Sequence, residues 1–270
     1  MLRIPLARRI DGTKRLFGNF PLPFVPHPFT LEISRPAGYP PGMDKSSKLM
    51  VFDLDGTLVD TAADLIASLD VALDMRGHPQ SEPVTARSWI GHGARQMIRN
   101  ALEHHKIPFN EPAIDAMYRD FLTHYQANMS RFSRPFPALI EALDALADSG
   151  WIFAVCSNKQ ERLCRQLLDE LEMSSLFATI SGGDTFGVSK PDPNHLLGTI
   201  EAASGDRRRA IMVGDASTDV NAARAASVPV IGVTFGYTPV PMVELGPDLL
   251  LDSFADLTPS VADDLLRETV

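Results

Sequence analysis

From Lys48 onward the chain alternates short apolar runs with amphipathic stretches, and this alternation restricts the possible folds more than any other feature of the sequence. Lys48–Asp53 (KLMVFD) is an apolar run closed by an acid, and Ile152–Cys156, Phe177–Ser181, Ala210–Val213 and Val230–Val233 are further runs of strand length. Between them Phe136–Ser149, Glu161–Leu171, Pro193–Ala203 and Thr218–Ala226 have helical spacing; Leu139, Leu143 and Leu146 fall on one face of the first. Strands that read as continuous apolar runs are buried on both faces, and strand–helix alternation calls for a parallel sheet covered by helices. The expected class is therefore α/β.

One block breaks the alternation. Thr61–Arg76 places Leu65, Leu69, Ala72 and Leu73 on one face, and the chain then reads as helices only as far as Arg134, over Val84–Ile90, Ala94–His105 and Pro112–Met129. Residues 62–134 are expected to form an all-helical domain inserted directly after the first strand, leaving 45–61 and 135–270 as the core. Residues 1–44 differ again. Eight of the 21 prolines lie there, a density incompatible with helices and with strand ladders. Residues 1–50 hold eight Lys and Arg against three acids, a local excess of +5 that leaves −14 on the remainder. The segment is expected to be an irregular tail, and three readings of it stay open: an early start codon ahead of Met43, a targeting peptide, or a partner-binding or oligomer-forming arm.

The net charge of −9 argues against a general nucleic-acid binder, because phosphate backbones attract basic surfaces. No apolar stretch reaches the roughly 18 residues of a membrane span. Two cysteines cannot build a disulfide framework, and Cys156 reads as a buried strand residue. The expectation is a soluble, cytoplasmic protein, monomer or homodimer.

In open α/β sheets ligands sit beyond the carboxyl ends of the strands, and four such ends are chemically notable. The first strand runs into Asp53-Leu54-Asp55-Gly56-Thr57. Asp53 and Asp55 project to one side; one carboxylate can attack phosphorus while the other shuttles a proton, and the backbone turned by Gly56 can face an anion. Cys156-Ser157-Asn158-Lys159 sets a hydroxyl ahead of a helix N-terminus. Ser189-Lys190-Pro191-Asp192-Pro193 offers a positive charge on a stiffened loop, and Gly214-Asp215-Ala216-Ser217-Thr218-Asp219 offers two acids at a tight turn, the oxygen donors a Mg²⁺ ion takes. Taken singly, each also has a plain structural reading: a solvated Asp-Gly turn, an N-cap, a surface lysine, a capped helix start.

Together and in this order, FDLDGTLVDT (52–61), Ser157, Lys190 and GDASTD (214–219) resemble the four motifs of the haloacid dehalogenase-like hydrolases, in their phosphatase branch. The resemblance runs from about Lys48 to the C-terminus and implies a Rossmann-like core with residues 62–134 as a helical cap. Trp89–Ala94 (WIGHGA), Ala222–Ala226 (AARAA) and Gly232–Tyr237 (GVTFGY) resemble phosphoglycolate phosphatases more particularly; CSNK replaces that subgroup's threonine by serine and keeps the hydroxyl. The implied reaction is Mg²⁺-dependent hydrolysis of a small phosphorylated metabolite through an aspartyl-phosphate. Asp53 would be the nucleophile and Asp55 the acid and base. Asp53, Asp215, Asp219 and the backbone carbonyl of Asp55 would surround the metal, and Ser157, Lys190, Asn158, Gly56 and Thr57 the phosphate. From the cap, Trp89, His92, Arg95 and Arg99 are candidates for choosing the substrate, with His92 and Arg95 foremost; a solvated arginine pair is the plainer reading of Arg95 and Arg99. His104 and His105 read as surface residues. Rival readings are a sugar-phosphate phosphatase, a pyrophosphatase or a phosphomutase of the same family. A phospholigand- or partner-binding protein without turnover would be expected to lack Asp53, Asp55, Lys190 or Asp215, and all four are present.

Overall fold

A computed structural model describes residues 47–268 of the protein. The expected tail over 1–44 lies outside the described residues. In chain order the elements are β1 (Lys48–Phe52), β2 (Val59–Asp60), α1 (Ala62–Asp74), α2 (Pro83–Arg87), α3 (Ala94–His104), α4 (Glu111–Asn128), β3 (Arg134–Pro135), α5 (Leu139–Asp148), β4 (Trp151–Cys156), α6 (Glu161–Glu170) and β5 (Thr179–Ser181). They continue with α7 (Pro193–Ala202), β6 (Ala210–Gly214), α8 (Ser217–Ala226), β7 (Val230–Val233), α9 (Met242–Leu245), β8 (Leu249–Leu251) and α10 (Pro259–Glu268).

Six strands form one parallel sheet in the order β5-β4-β1-β6-β7-β8, the α/β core expected from the alternation and the Rossmann-like arrangement implied by the resemblance. β1 is central. Phe52 stands level with Val155 on one side and Val213 on the other, so β1, β4 and β6 end together. All six residues of β4 and all five of β6 are buried, as expected of interior strands covered on both faces. On one face Leu49, Val51, Ala154 and Met212 pack with Leu196 and Ile200 of α7 and Val220 and Ala223 of α8. On the other, Phe52 meets Phe153 edge-on at 6.1 Å and Phe254 at 6.5 Å. The chain leaves β1 toward β4 and β5, then returns to the opposite side with β6. The switch point lies beside β1, where a ligand crevice opens.

Two features lie beyond the sequence expectation. The helices-only reading as far as Arg134 is corrected, because α4 ends at Asn128 and Arg134 belongs to β3. β3 pairs antiparallel with β2, Asp60 opposite Arg134 and Val59 opposite Pro135. Two-residue strands give no periodicity to read. After β7, where no element was expected, β8 completes the sheet and α10 ties the starts of β1 and β4 together: Asp263 accepts from Lys48 Nζ at 2.9 Å and Trp151 Nε1 at 3.1 Å.

α1 to α4 all lie in the chain between β2 and β3. α1 packs along α4, joining Leu65, Leu69 and Leu73 to a face made of Ile114, Met117, Phe121 and Tyr125. The crossing back from α4 is stapled by Asp64, a 2% exposed carboxylate on α1. It accepts from the amides of Phe132 (2.9 Å) and Ser133 (2.8 Å) and from Ser133 Oγ (2.7 Å). Leaving the buried amide and hydroxyl of Ser133 without an acceptor costs more than the bonds themselves contribute. Asp64→Ala is therefore expected to lower unfolding free energy by about 2–4 kcal/mol in urea titrations.

Candidate active site

The coincident ends of β1, β4 and β6 determine what converges. Asp53 continues β1 by one bond, its amide donating to Val213 O at 2.9 Å, and its carboxylate is 5% exposed. Asp215 follows β6, and Asp219 lies one helical turn on in α8, reaching back to accept from the Ala216 amide at 3.0 Å. One oxygen from each of Asp53, Asp215 and Asp219 lies within 4.8 Å of the others. Lys190, brought in by the loop after β5, places Nζ 2.9 Å from Asp53 and 2.7 Å from Asp219, contacts of charge rather than well-aligned hydrogen bonds.

The remaining bonds hold Asp215 in place. Thr57 Oγ1 donates to it at 3.0 Å and the Tyr237 amide at 2.7 Å. Two glycines make the close approach possible. Gly56 turns at φ +88°, and a Cβ there would stand 2.5 Å from Asp215 Oδ2; at Gly236 it would stand 2.1 Å from Asp215 Cβ. The phenol of Tyr237 faces the other way, donating to Asp60 at 2.6 Å and accepting from the amides of Thr61 (2.7 Å) and Ala62 (3.1 Å).

Fully ionised, the three buried carboxylates against one ammonium would carry a local charge near −2, and the cluster resists it by holding protons. Burial pushes Asp53 up to about 6, with Lys190 pulling against it and Asp219 adding to it. Burial followed by the charges of Asp53 and Asp219 pushes Asp215 up to about 8. Burial alone would lower the Lys190 pKa, but Asp219 and Asp53 outweigh it and hold the ammonium charged. Hard oxygen donors with uncompensated negative charge fit a divalent cation.

A cavity of about 230 Å³ opens over Asp53. Asp53, Asp55, Ser157, Asn158 and Lys159 line its core side, with His92, Arg95, Tyr118, Phe121 and Tyr125 opposite. Ser157 Oγ accepts from the Lys159 amide at 3.3 Å. Asp55 stands apart from the acidic cluster, its carboxylate held by Lys159 Nζ at 2.6 and 2.7 Å and by Thr61 Oγ1 at 2.7 Å. Of the residues expected at the phosphate, Ser157 and Asn158 line the cavity, while Gly56, Thr57 and Lys190 do not. Asn158 spends its amide on the carbonyls of Gly91 (3.2 Å) and Lys190 (3.0 Å). The amide of Leu58 is committed to Leu54 O. His92 and Arg95 line the cavity; Arg95 pairs with Asp115 and lies 4.9 Å from the Tyr118 ring. Arg99 pairs with Glu111 at 2.6 Å instead, and Trp89 packs on His104. Of the two histidines read as surface residues, His104 is exposed; His105 is half-buried and bonded to Ser81.

Lys159, Tyr125 and Tyr237 had no role in the sequence reading. A lysine two residues beyond the Ser157 hydroxyl was a usable signal. Tyr125 gave none, because on an apolar helical face a phenol reads as core.

A sequence profile described as haloacid dehalogenase-like hydrolase matches residues 50–233, and the chain belongs to that family. Its relatives include proteins named phosphoglycolate phosphatase from Agrobacterium fabrum and Mesorhizobium japonicum. The first is 52% identical over 225 residues, spanning 82% of this chain and 95% of the relative; the second is 40% identical over 222 residues, spanning 82% and 98%. Among solved structures, a predicted phosphoglycolate phosphatase from Haemophilus somnus superposes with a TM-score of 0.74 at 32% identity, covering 80% of this chain and 98% of its own. The expected family and a phosphatase-like enzyme class are borne out.

The raised acids have a measurable consequence. An acid whose pKa is higher in the folded chain stabilises the fold at low pH, and that stability is lost as pH rises through the raised value. Without a divalent cation, thermal stability is expected to fall as pH climbs through about 6 and about 8, the values of Asp53 and Asp215. A bound cation offsets the repulsion, so the rise in melting temperature on adding it should be larger at pH 8 than at pH 5.5, by at least roughly 3 °C. Thermal unfolding with chelator and with cation at both pH values measures this.

Proposed function

We propose that the protein is a Mg²⁺-dependent phosphomonoesterase that acts through an aspartyl-phosphate on Asp53, with 2-phosphoglycolate or a similarly small phosphorylated metabolite as substrate. The observation that carries the reading is that Asp53 and Asp55 open onto one cavity while Lys190 and the Asp215–Asp219 pair stand behind Asp53. A phosphomonoester brings a charge of about −2 toward a carboxylate, so positioning and charge neutralisation dominate the chemistry. Mg²⁺, held by Asp53 and Asp215 with Asp219 beside them and the Asp55 carbonyl as a further ligand, would supply that neutralisation when bound.

Asp53 attacks phosphorus as the bond to the leaving oxygen breaks, and Asp55 gives that oxygen its proton. Water then attacks the phosphorus of the aspartyl-phosphate and passes a proton to Asp55; the bond to Asp53 breaks and inorganic phosphate leaves. Ser157 donates to a phosphoryl oxygen, and Lys190 keeps Asp53 ionised and aimed.

We read residues 62–134 as the cap and the β2–β3 ribbon as its hinge. The cavity volume supports a small substrate over a nucleotide, and Arg95 on the cap side suits a carboxylate. The relatives named phosphoglycolate phosphatase support the same choice. Among the described residues no helix is long and apolar enough to cross a membrane, and both cysteines are buried and free, in keeping with a cytoplasmic enzyme.

Phosphate release from a panel of 2-phosphoglycolate, sugar phosphates, nucleoside monophosphates and pyrophosphate, with and without Mg²⁺, tests the reading. Hydrolysis that needs Mg²⁺, favours 2-phosphoglycolate and is abolished in Asp53→Asn is the expected result. Unchanged turnover in that variant overturns the nucleophile assignment. Arg95→Ala is expected to raise KM for 2-phosphoglycolate about 10-fold, the worth of one charge-assisted hydrogen bond, while p-nitrophenyl phosphate, which lacks a carboxylate, changes far less.

A further inference from the structure

We propose, resting on the phosphatase reading above, that Lys159 is a positioning residue for Asp55, and that Tyr125 on α4 in turn positions Lys159. The Lys159 side chain is 6% exposed, and its ammonium lies 2.6 and 2.7 Å from the two oxygens of Asp55 and 2.9 Å from Tyr125 Oη. An ammonium has three N–H donors, and these three partners use all of them. That accounting separates Lys159 from a substrate-binding cation. It lines the cavity, yet it has no donor left for a phosphate or carboxylate unless Asp55 or Tyr125 is released.

The backbone of Lys159 is equally constrained. Its amide donates to Ser157 Oγ at 3.3 Å and its carbonyl accepts from the Gly183 amide at 2.8 Å. Thr61 Oγ1 also donates to Asp55, at 2.7 Å on Oδ1, one of the two oxygens that Lys159 holds. The Asp55 carboxylate is thereby fixed in plane and direction by a core lysine and by the residue that opens α1. Tyr125 is 1% exposed and stacks on Phe121 at 5.8 Å, so its hydroxyl is where it is only when α4 is seated. The acid–base group of the core therefore depends for its aim on a helix of the inserted block, and displacing α4 would release Lys159 and, with it, Asp55.

The test uses the signature of Asp55 itself. A group that protonates the leaving oxygen matters most for poor leaving groups, and its loss typically costs about 10²–10⁴-fold. Values of kcat/KM would be measured with Mg²⁺ for p-nitrophenyl, phenyl and alkyl phosphates, in wild type, Asp55→Asn, Lys159→Met, Lys159→Arg and Tyr125→Phe. The inhibition constant of inorganic phosphate would be measured beside them.

Lys159→Met is expected to parallel Asp55→Asn, losing about 100-fold or more on the alkyl ester and under about 10-fold on the p-nitrophenyl ester. Its phosphate inhibition should be nearly unchanged. Lys159→Arg should recover part of the loss. Tyr125→Phe, which removes one oxygen from a packed site, should show the same leaving-group pattern more weakly. Equal losses across all esters in both Lys159→Met and Tyr125→Phe would overturn the proposal, and so would wild-type kinetics in both. A large weakening of phosphate inhibition in Lys159→Met with leaving-group dependence unchanged would instead make Lys159 a substrate-holding cation, and would overturn it too. Wild-type protein inert on every ester would overturn the phosphatase reading itself; an active wild type with any of the preceding results overturns only the role of Lys159.

Discussion

Lys190 Nζ, in a side chain 1% exposed, touches the carboxylates of Asp53 and Asp219, and Asp215 completes the acidic group around them. Such a buried ammonium can exist only with its partners in place, and its partners only with it; separating them leaves an unpaired charge in a dry interior. The pairing ties the loop after β5 to the end of β1 and the first turn of α8, segments remote in the chain. It also explains why β1 is central. Only a middle strand can end between the donors of two neighbours, and Phe52 stands level with Val155 and Val213 on either side.

The same interaction leaves the group incompletely neutralised, and what surrounds Asp215 follows from that. A hydroxyl from Thr57 and an amide from Tyr237 supply donors without adding charge. Gly56 and Gly236 are excluded from having side chains by the space that Asp215 occupies. The polar groups are thus arranged for a state in which a further positive charge is present. Asp55, only two residues from Asp53, belongs to a second and self-neutralising group with Lys159. The two carboxylates of one short segment consequently sit in different electrostatic surroundings, as the proposed division between nucleophile and acid–base group requires.

Legibility in the sequence followed the physics of each feature. Interior strands such as Ile152–Cys156 and Ala210–Val213 announce themselves because they are apolar throughout. β1 could be assigned to the core for the same reason, and its Asp-x-Asp end to the site. The two-residue β2 and β3 carry no period, and β8, whose Leu249 and Leu250 remain partly exposed, was not recognised either. At the site, acids and hydroxyls just beyond buried strands could be assigned, because strand ends fix where they go. Partners across the cavity could not. Tyr125 on α4 meets Lys159 after an interval of 34 residues through packing of α1 on α4, a relation no local spacing encodes. Asn158, read as a ligand contact, lines the cavity, and its amide also bridges the carbonyls of Gly91 and Lys190, ties across the chain that no local spacing encodes.

The β2–β3 ribbon, closed by Asp64 on the amides of Phe132 and Ser133, is a doorway two residues wide through which all of α1 to α4 enters and leaves. Both jambs are built from residues at or beside the doorway, and the sheet beyond takes its register from other strands. Chain inside the doorway can therefore lengthen, shorten or be exchanged as a cassette while the acidic group at the strand ends keeps its geometry. A replacement block would still have to set a partner for Lys159 where Tyr125 stands, so what passes through the doorway is free in length and sequence but bound at that one contact.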